Sequence, residues 1–207
     1  IADEKLIPNL SKIINASADN LIGIQCGLET GSIRLIEKYA DRKLAPYQPE
    51  EWHWVVKEAV KTFNENHWIP AFTLIMGLDN DETPEDGWET IRLINELERE
   101  QPDSMFTATP LTFIPIGLLE KSEFYDMGND SDPTQLGVMY KTWQHNFKYG
   151  IKKFMSKTGQ RGSIRRAAFN GIARTLGGVP LGAMERFARR KGREHERVLE
   201  KIKAQYW

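Results

Sequence analysis

The stretch Gly23-Ile24-Gln25-Cys26-Gly27-Leu28-Glu29-Thr30-Gly31-Ser32 decides how the rest of this 207-residue chain is read. A short apolar run, Leu21, Ile22, Ile24 and Leu28, ends in a carboxylate set between glycines, and the helical run Ile33 to Tyr39 follows at once. A few apolar positions bounded by glycine predict a buried strand. Gly27 and Gly31 permit a sharp turn and close backbone approach where Glu29 projects, and Ser32 offers a capping hydroxyl to the helix. Strand, turn and helix make a βα unit, whose loop in parallel α/β proteins is placed to hold a ligand. The plainer alternative is a βα turn in which Glu29 only caps backbone amides.

Working outward, the same pattern recurs. Pro49, Glu50 and Glu51 are start signals for a helix with Trp52, Val55, Val56, Ala59, Val60 and Phe63 on one face. Trp68 to Met76 then predicts a second buried strand, with Pro70 near its beginning. Thr83 as cap, Pro84 in the first position and the acids Glu85 and Asp86 open the next helix, with Trp88, Ile91, Ile94 or Leu93, and Leu97 inward. A third strand is expected at about 105–110. The strands, at about 21–26, 68–76 and 105–110, alternate with helices long enough to be crossovers, which predicts a parallel sheet. Glu29, the Gly77 to Glu82 loop and Thr109 would then share one mouth.

Composition narrows the functions. The 40% hydrophobic content can fill a core. One cysteine, Cys26, rules out an internal disulfide framework and a metal site built from cysteines alone, so a reducing cytoplasm is the expected compartment. Residues 1–140 hold 11 Lys and Arg against 25 Asp and Glu, whereas residues 141–207 hold 17 against 4. Past Pro115-Ile116-Gly117 the character changes to helices and basic loops, so a domain over 1–117 and a helical, strongly basic region over 118–207 are expected. The basic helices would either pair with the acidic part or meet a polyanion such as RNA. In that region Leu136 to Met155 keeps a helical apolar stripe, Arg161 to Leu176 reads as a second helix, and Leu181 to Tyr206 reads as one last helix. The four histidines, His53, His67, His145 and His195, have no ligand spacing and are read as surface or core-edge residues.

Three motifs in order, Gly27-Leu28-Glu29-Thr30-Gly31-Ser32 with Asp41-Arg42-Lys43, Thr73-Leu74-Ile75-Met76-Gly77-Leu78 with Glu82-Thr83, and Pro110-Leu111-Thr112-Phe113-Ile114-Pro115-Ile116-Gly117, resemble the carboxyl-terminal half of a radical S-adenosylmethionine (SAM) enzyme. The resemblance covers about residues 20–117. It is nearest the branch of methylthiotransferases, oxygen-independent coproporphyrinogen oxidases and cobalamin-binding-domain radical enzymes. It implies the last part of a partial TIM-like (β/α)6 barrel. It also implies that the parent uses a 4Fe-4S cluster to cleave SAM to a 5'-deoxyadenosyl radical, for C–H functionalisation or group transfer such as methylation or thiolation.

Site roles follow from the same resemblance. Glu29 would accept hydrogen bonds from the SAM ribose and Arg42 would pair with the methionine carboxylate. Thr73 would face the ribose, Ile75, Gly77 and Leu78 would wall the adenine, and Thr109 would complete the pocket. Ser32, in the Glu29 loop, is counted with these cofactor-binding residues, and no catalytic residue is assigned. Two features depart from the family: Gly77-Leu78-Asp79 replaces its glycine-leucine-proline turn, and the three-cysteine cluster motif is absent. A single thiol cannot hold such a cluster. The expectation is thus a chain piece, inactive alone, whose missing barrel strands, cluster loop and any cobalamin domain lie upstream. Competing readings are an RNA- or polyanion-binding module on an α/β scaffold, and a hydrolase or aldolase barrel fragment. The last lacks a candidate lysine at the strand ends.

Overall fold

The computed structural model describes residues 5–78, 82–114, 125–126, 128, 132–147 and 178–205. Helix α1 (Leu6–Ile13) precedes strand β1 (Ile22–Glu29), and α2 (Ile33–Leu44), α3 (Trp52–Glu65), β2 (Trp68–Met76), α4 (Pro84–Glu100) and β3 (Thr107–Thr112) follow. Then come α5 (Pro133–His145), a helical segment α6 over 178–191, and α7 (Arg193–Ala204). The strands form a parallel sheet in the order β1-β2-β3. Helical crossovers between neighbouring parallel strands are what the β-α-β-α-β pattern dictates.

The two faces of the sheet differ in kind. Along β2, Phe72, Leu74 and Met76 are buried while Ala71, Thr73 and Ile75 are half-exposed, as the period of two requires. The buried side, with Leu28 and Ala108 from the neighbouring strands, meets Ile36, Val56, Val60, Ile91, Ile94 and Leu97 of α2, α3 and α4 in one cluster. That cluster continues without a break into Leu136, Tyr140, Met184, Leu199 and Ile202. The helices of the basic region are therefore packed onto the α/β part. On the opposite side Gly27, Thr73 and Thr109 stand in register across the sheet, and Thr109 is exposed.

Several sequence expectations need correction. Strand β3 begins two residues later than expected because the Asn64 side chain takes both backbone groups of Met105, accepting from its N–H at 2.6 Å and donating to its carbonyl at 2.9 Å. Strand β1 runs on through Glu29 rather than ending near residue 26. The last helix is two, broken at Gly192, whose φ of 120° suits glycine. The helix expected over 161–176, the stripe beyond residue 147 and the Pro115 to Gly117 end of the third motif lie outside the described residues.

Polar side chains finish the sheet. The Asn146 side chain accepts from the Ala108 N–H at 2.9 Å and donates to its carbonyl at 2.7 Å, standing where a further strand would pair. At the other end, Trp68 donates to Ser11 Oγ at 2.6 Å and ties α1 to the start of β2. Ser11→Ala should therefore cost about 1–2 kcal/mol, since a buried indole N–H loses its partner, and urea denaturation would measure it.

Candidate functional site at the carboxyl ends of the strands

The site is built on the turn after β1. Glu29 has φ 61°, a left-handed conformation uncommon for a residue with a side chain, and the strand register slips between Gly27 and Glu29. The bulge and the left-handed turn re-aim the carboxylate out of the sheet plane. Behind it, Thr30 and Ser32 are almost wholly buried. Trp52 Nε1 donates to the Thr30 carbonyl at 2.8 Å, His53 Nε2 lies 2.7 Å from the Gly31 carbonyl, and the Gly31 N–H donates to Thr90 Oγ1 at 2.9 Å. Gly31 is needed here because a Cβ would come within 2.5 Å of the Thr90 Cα.

Beneath the turn lies a buried polar network. Ser32 accepts from the Leu35 N–H at 3.3 Å, capping α2, and its hydroxyl donates to Asp86 Oδ1 at 2.5 Å. Arg34 reaches the same carboxylate, with Nη2 to Oδ2 at 2.7 Å and Nε to Oδ1 at 3.2 Å. Asp86 also accepts from the Thr83 N–H at 2.7 Å, closing a capping box at the start of α4. Burial alone would raise this carboxyl. The hydrogen bonds from Arg34, Ser32 and Thr83 outweigh it and hold the group at about 2.

Lys43 answers Glu29 from the far end of α2. Its Nζ pairs with Glu29 Oε1 at 2.7 Å and also donates to the Gly27 carbonyl. A break at Ala40, whose φ of −140° is not helical, precedes the last turn of α2, which carries Arg42 and Lys43. Glu29 Oε2 makes no hydrogen bond among the described residues. At the end of β2, Gly77 has φ 74° and a Cβ there would fall within 2.2 Å of the Tyr125 ring. The Glu82 carboxylate accepts from the Leu78 N–H at 2.7 Å and the Gly77 N–H at 3.4 Å, and Gln135 of α5 donates to it in turn.

These elements enclose a cleft of about 420 Å3 lined by Glu29, Leu35, Ile36, Tyr39, Ala40, Arg42, Lys43, Ile75 and Leu78. Of the residues expected at a site, Glu29, Arg42, Ile75 and Leu78 meet in it. Thr73 and Thr109 sit instead further down the open face, in register with Gly27. Ser32 has no exposed surface, so it departs from the expectation: its hydroxyl is used by the cap and by Asp86. The amides of Gly77 and Leu78 are likewise occupied by Glu82, which leaves the Leu78 side chain as their contribution to the wall.

Lys43 is the residue that sequence reasoning passed over. It stood in a charged motif beside Arg42, and nothing in the spacing distinguished which of the two would turn toward Glu29. His145, expected at the surface or core edge, is instead 2% exposed, with Nδ1 at 2.8 Å from Glu98 and Nε2 at 3.0 Å from the Phe106 carbonyl. Among the described residues no group of three His, Cys, Asp or Glu could hold a metal ion, and no helix is long and apolar enough to cross a membrane. Comparisons of the chain with protein-family models, curated proteins and solved structures find no match.

Proposed function

We propose that the chain is the carboxyl-terminal portion of a radical SAM iron-sulfur enzyme performing C–H functionalisation or group transfer, and that the cleft beside Glu29 binds SAM. The observation that carries the reading is the cleft itself. It gathers a carboxylate, two cations and an apolar wall at the carboxyl ends of parallel strands, where α/β folds bind ligands. Support also comes from the sheet, helix-covered on one face and bearing Gly27, Thr73 and Thr109 on the other, as an arc of a partial TIM-like barrel would present its interior.

The donor set suits SAM. The Glu29 Oε2 atom is available to accept from a ribose hydroxyl, and Lys43 holds the other oxygen so that the carboxylate stays oriented. Arg42, exposed at the rim, is placed for a carboxylate. Ile75 and Leu78 supply the flat apolar wall an adenine needs. Ser32 acts through the loop it caps, without touching the ligand.

The cluster does not fit these residues. Cys26 is the chain's one cysteine, and burial raises its thiol against a weaker opposing pull from Lys43, the reverse of what a ligand thiolate needs. The reading therefore places cluster ligands, the remaining strands and any cobalamin domain in a preceding part of the parent.

Isothermal titration of the chain with SAM tests the site. Saturable binding is expected, weakened about ten- to a hundredfold by Glu29→Ala, the cost of one or two charge-assisted hydrogen bonds. No saturable binding, or an affinity that Glu29→Ala leaves unchanged, would overturn the assignment.

A further inference from the structure

A second pocket, of about 580 Å3, opens between α5 and α6. Leu136, Met139 and Trp143 form one wall, and Ala183, Met184 and Phe187 the other. Its volume lies in the range of small-molecule sites, and most of its lining is apolar. Trp143 is stacked on Phe147 with ring centroids 5.3 Å apart and planes 10° apart, so that part of the wall is already in place. Met139 and Met184 can adapt to a flexible tail.

The one charged residue lining the pocket is Arg190 among the described residues. It is exposed and makes no ion pair or hydrogen bond among them, unlike Glu185 on the same helix, which is held by Lys203 at 2.6 Å and by Tyr140. Lys191 lies beside it with its Nζ over the Phe187 ring at 5.5 Å. An unpaired guanidinium above an apolar floor selects a ligand with an anionic head and an apolar tail.

We propose that this pocket binds a single-chain amphipathic anion, with its tail between α5 and α6 and its carboxylate on Arg190. The proposal does not depend on SAM binding at Glu29. Titrating the chain calorimetrically with dodecanoate, dodecanol and dodecyltrimethylammonium, each below micelle formation, tests it. One-to-one saturable binding is expected, tightest for dodecanoate and weakest for the ammonium compound. Arg190→Gln should weaken dodecanoate about tenfold, the loss of one charge-assisted contact, and leave dodecanol unchanged. Ala183→Trp, at an exposed wall position, should abolish binding of both while circular dichroism remains that of the unaltered chain. The proposal is overturned if no saturable binding occurs, if Arg190→Gln affects acid and alcohol alike, or if only anionic vesicles bind and monomeric dodecanoate does not.

Discussion

Glu98→Ala is expected to lower the unfolding free energy by about 3–5 kcal/mol, because it removes the anion that a buried lysine and a buried histidine share. Lys141 Nζ lies 2.7 Å from Glu98 Oε2 and His145 Nδ1 lies 2.8 Å from Oε1, with side chains 0%, 2% and 7% exposed for Lys141, His145 and Glu98. The cluster joins α4 to α5, and through the bond from His145 Nε2 to the Phe106 carbonyl it reaches the start of β3. The imidazole also stacks on Phe106 with centroids 4.0 Å apart. Urea denaturation of Glu98→Ala and Glu98→Gln separates charge from shape. The glutamine keeps an acceptor and should lose less than the alanine. A loss below about 1 kcal/mol for alanine would show that the cluster does not hold α5 in place.

The second large effect belongs to Asp86. Its carboxyl is depressed from 3.8 to about 2 in the folded chain, since the hydrogen bonds from Arg34, Ser32 and Thr83 overcome burial. A depressed acid stabilises the fold fully above its unfolded value, and that contribution disappears as the pH falls through the folded value. The wild-type chain should therefore lose about 2 kcal/mol between roughly pH 4 and pH 2 on account of this group. Arg34 makes the largest of the lowering contributions and is 43% exposed, so salt screens its share of the effect. Asp86→Asn should be less stable at neutral pH by a similar amount and should show a flatter acid limb. An unaltered acid limb would remove Asp86 from the account. Because Asp86 also holds Ser32, the variant should loosen the Glu29 turn. On the proposed reading of the cleft, affinity for SAM should then drop less than in Glu29→Ala.

Much of the α/β framework could be read from local signals. The alternation in Trp68 to Met76, the Thr83-Pro84-Glu85-Asp86 start and the glycine-bounded Glu29 each encode one element with its own short-range physics, and the parallel sheet follows from their order. The limits of β3 could not be read, because Asn64, 41 residues earlier, takes the Met105 backbone. Gly192 was visible as a residue, but nothing nearby marked it as the place where one helix becomes two.

The amino-acid sequence alone determined the strand-helix order, the caps, the apolar faces and the position of Glu29 at a strand end, because these depend on periodicity and on neighbours a few residues away. Tertiary structure alone decided which charge meets which. It set Lys43 against Glu29, turned Ser32 inward to Asp86, and buried His145 and Lys141 around Glu98 in a region whose composition reads as a basic surface. Pairing between charges far apart in the chain depends on packing angles and desolvation, which no local pattern records.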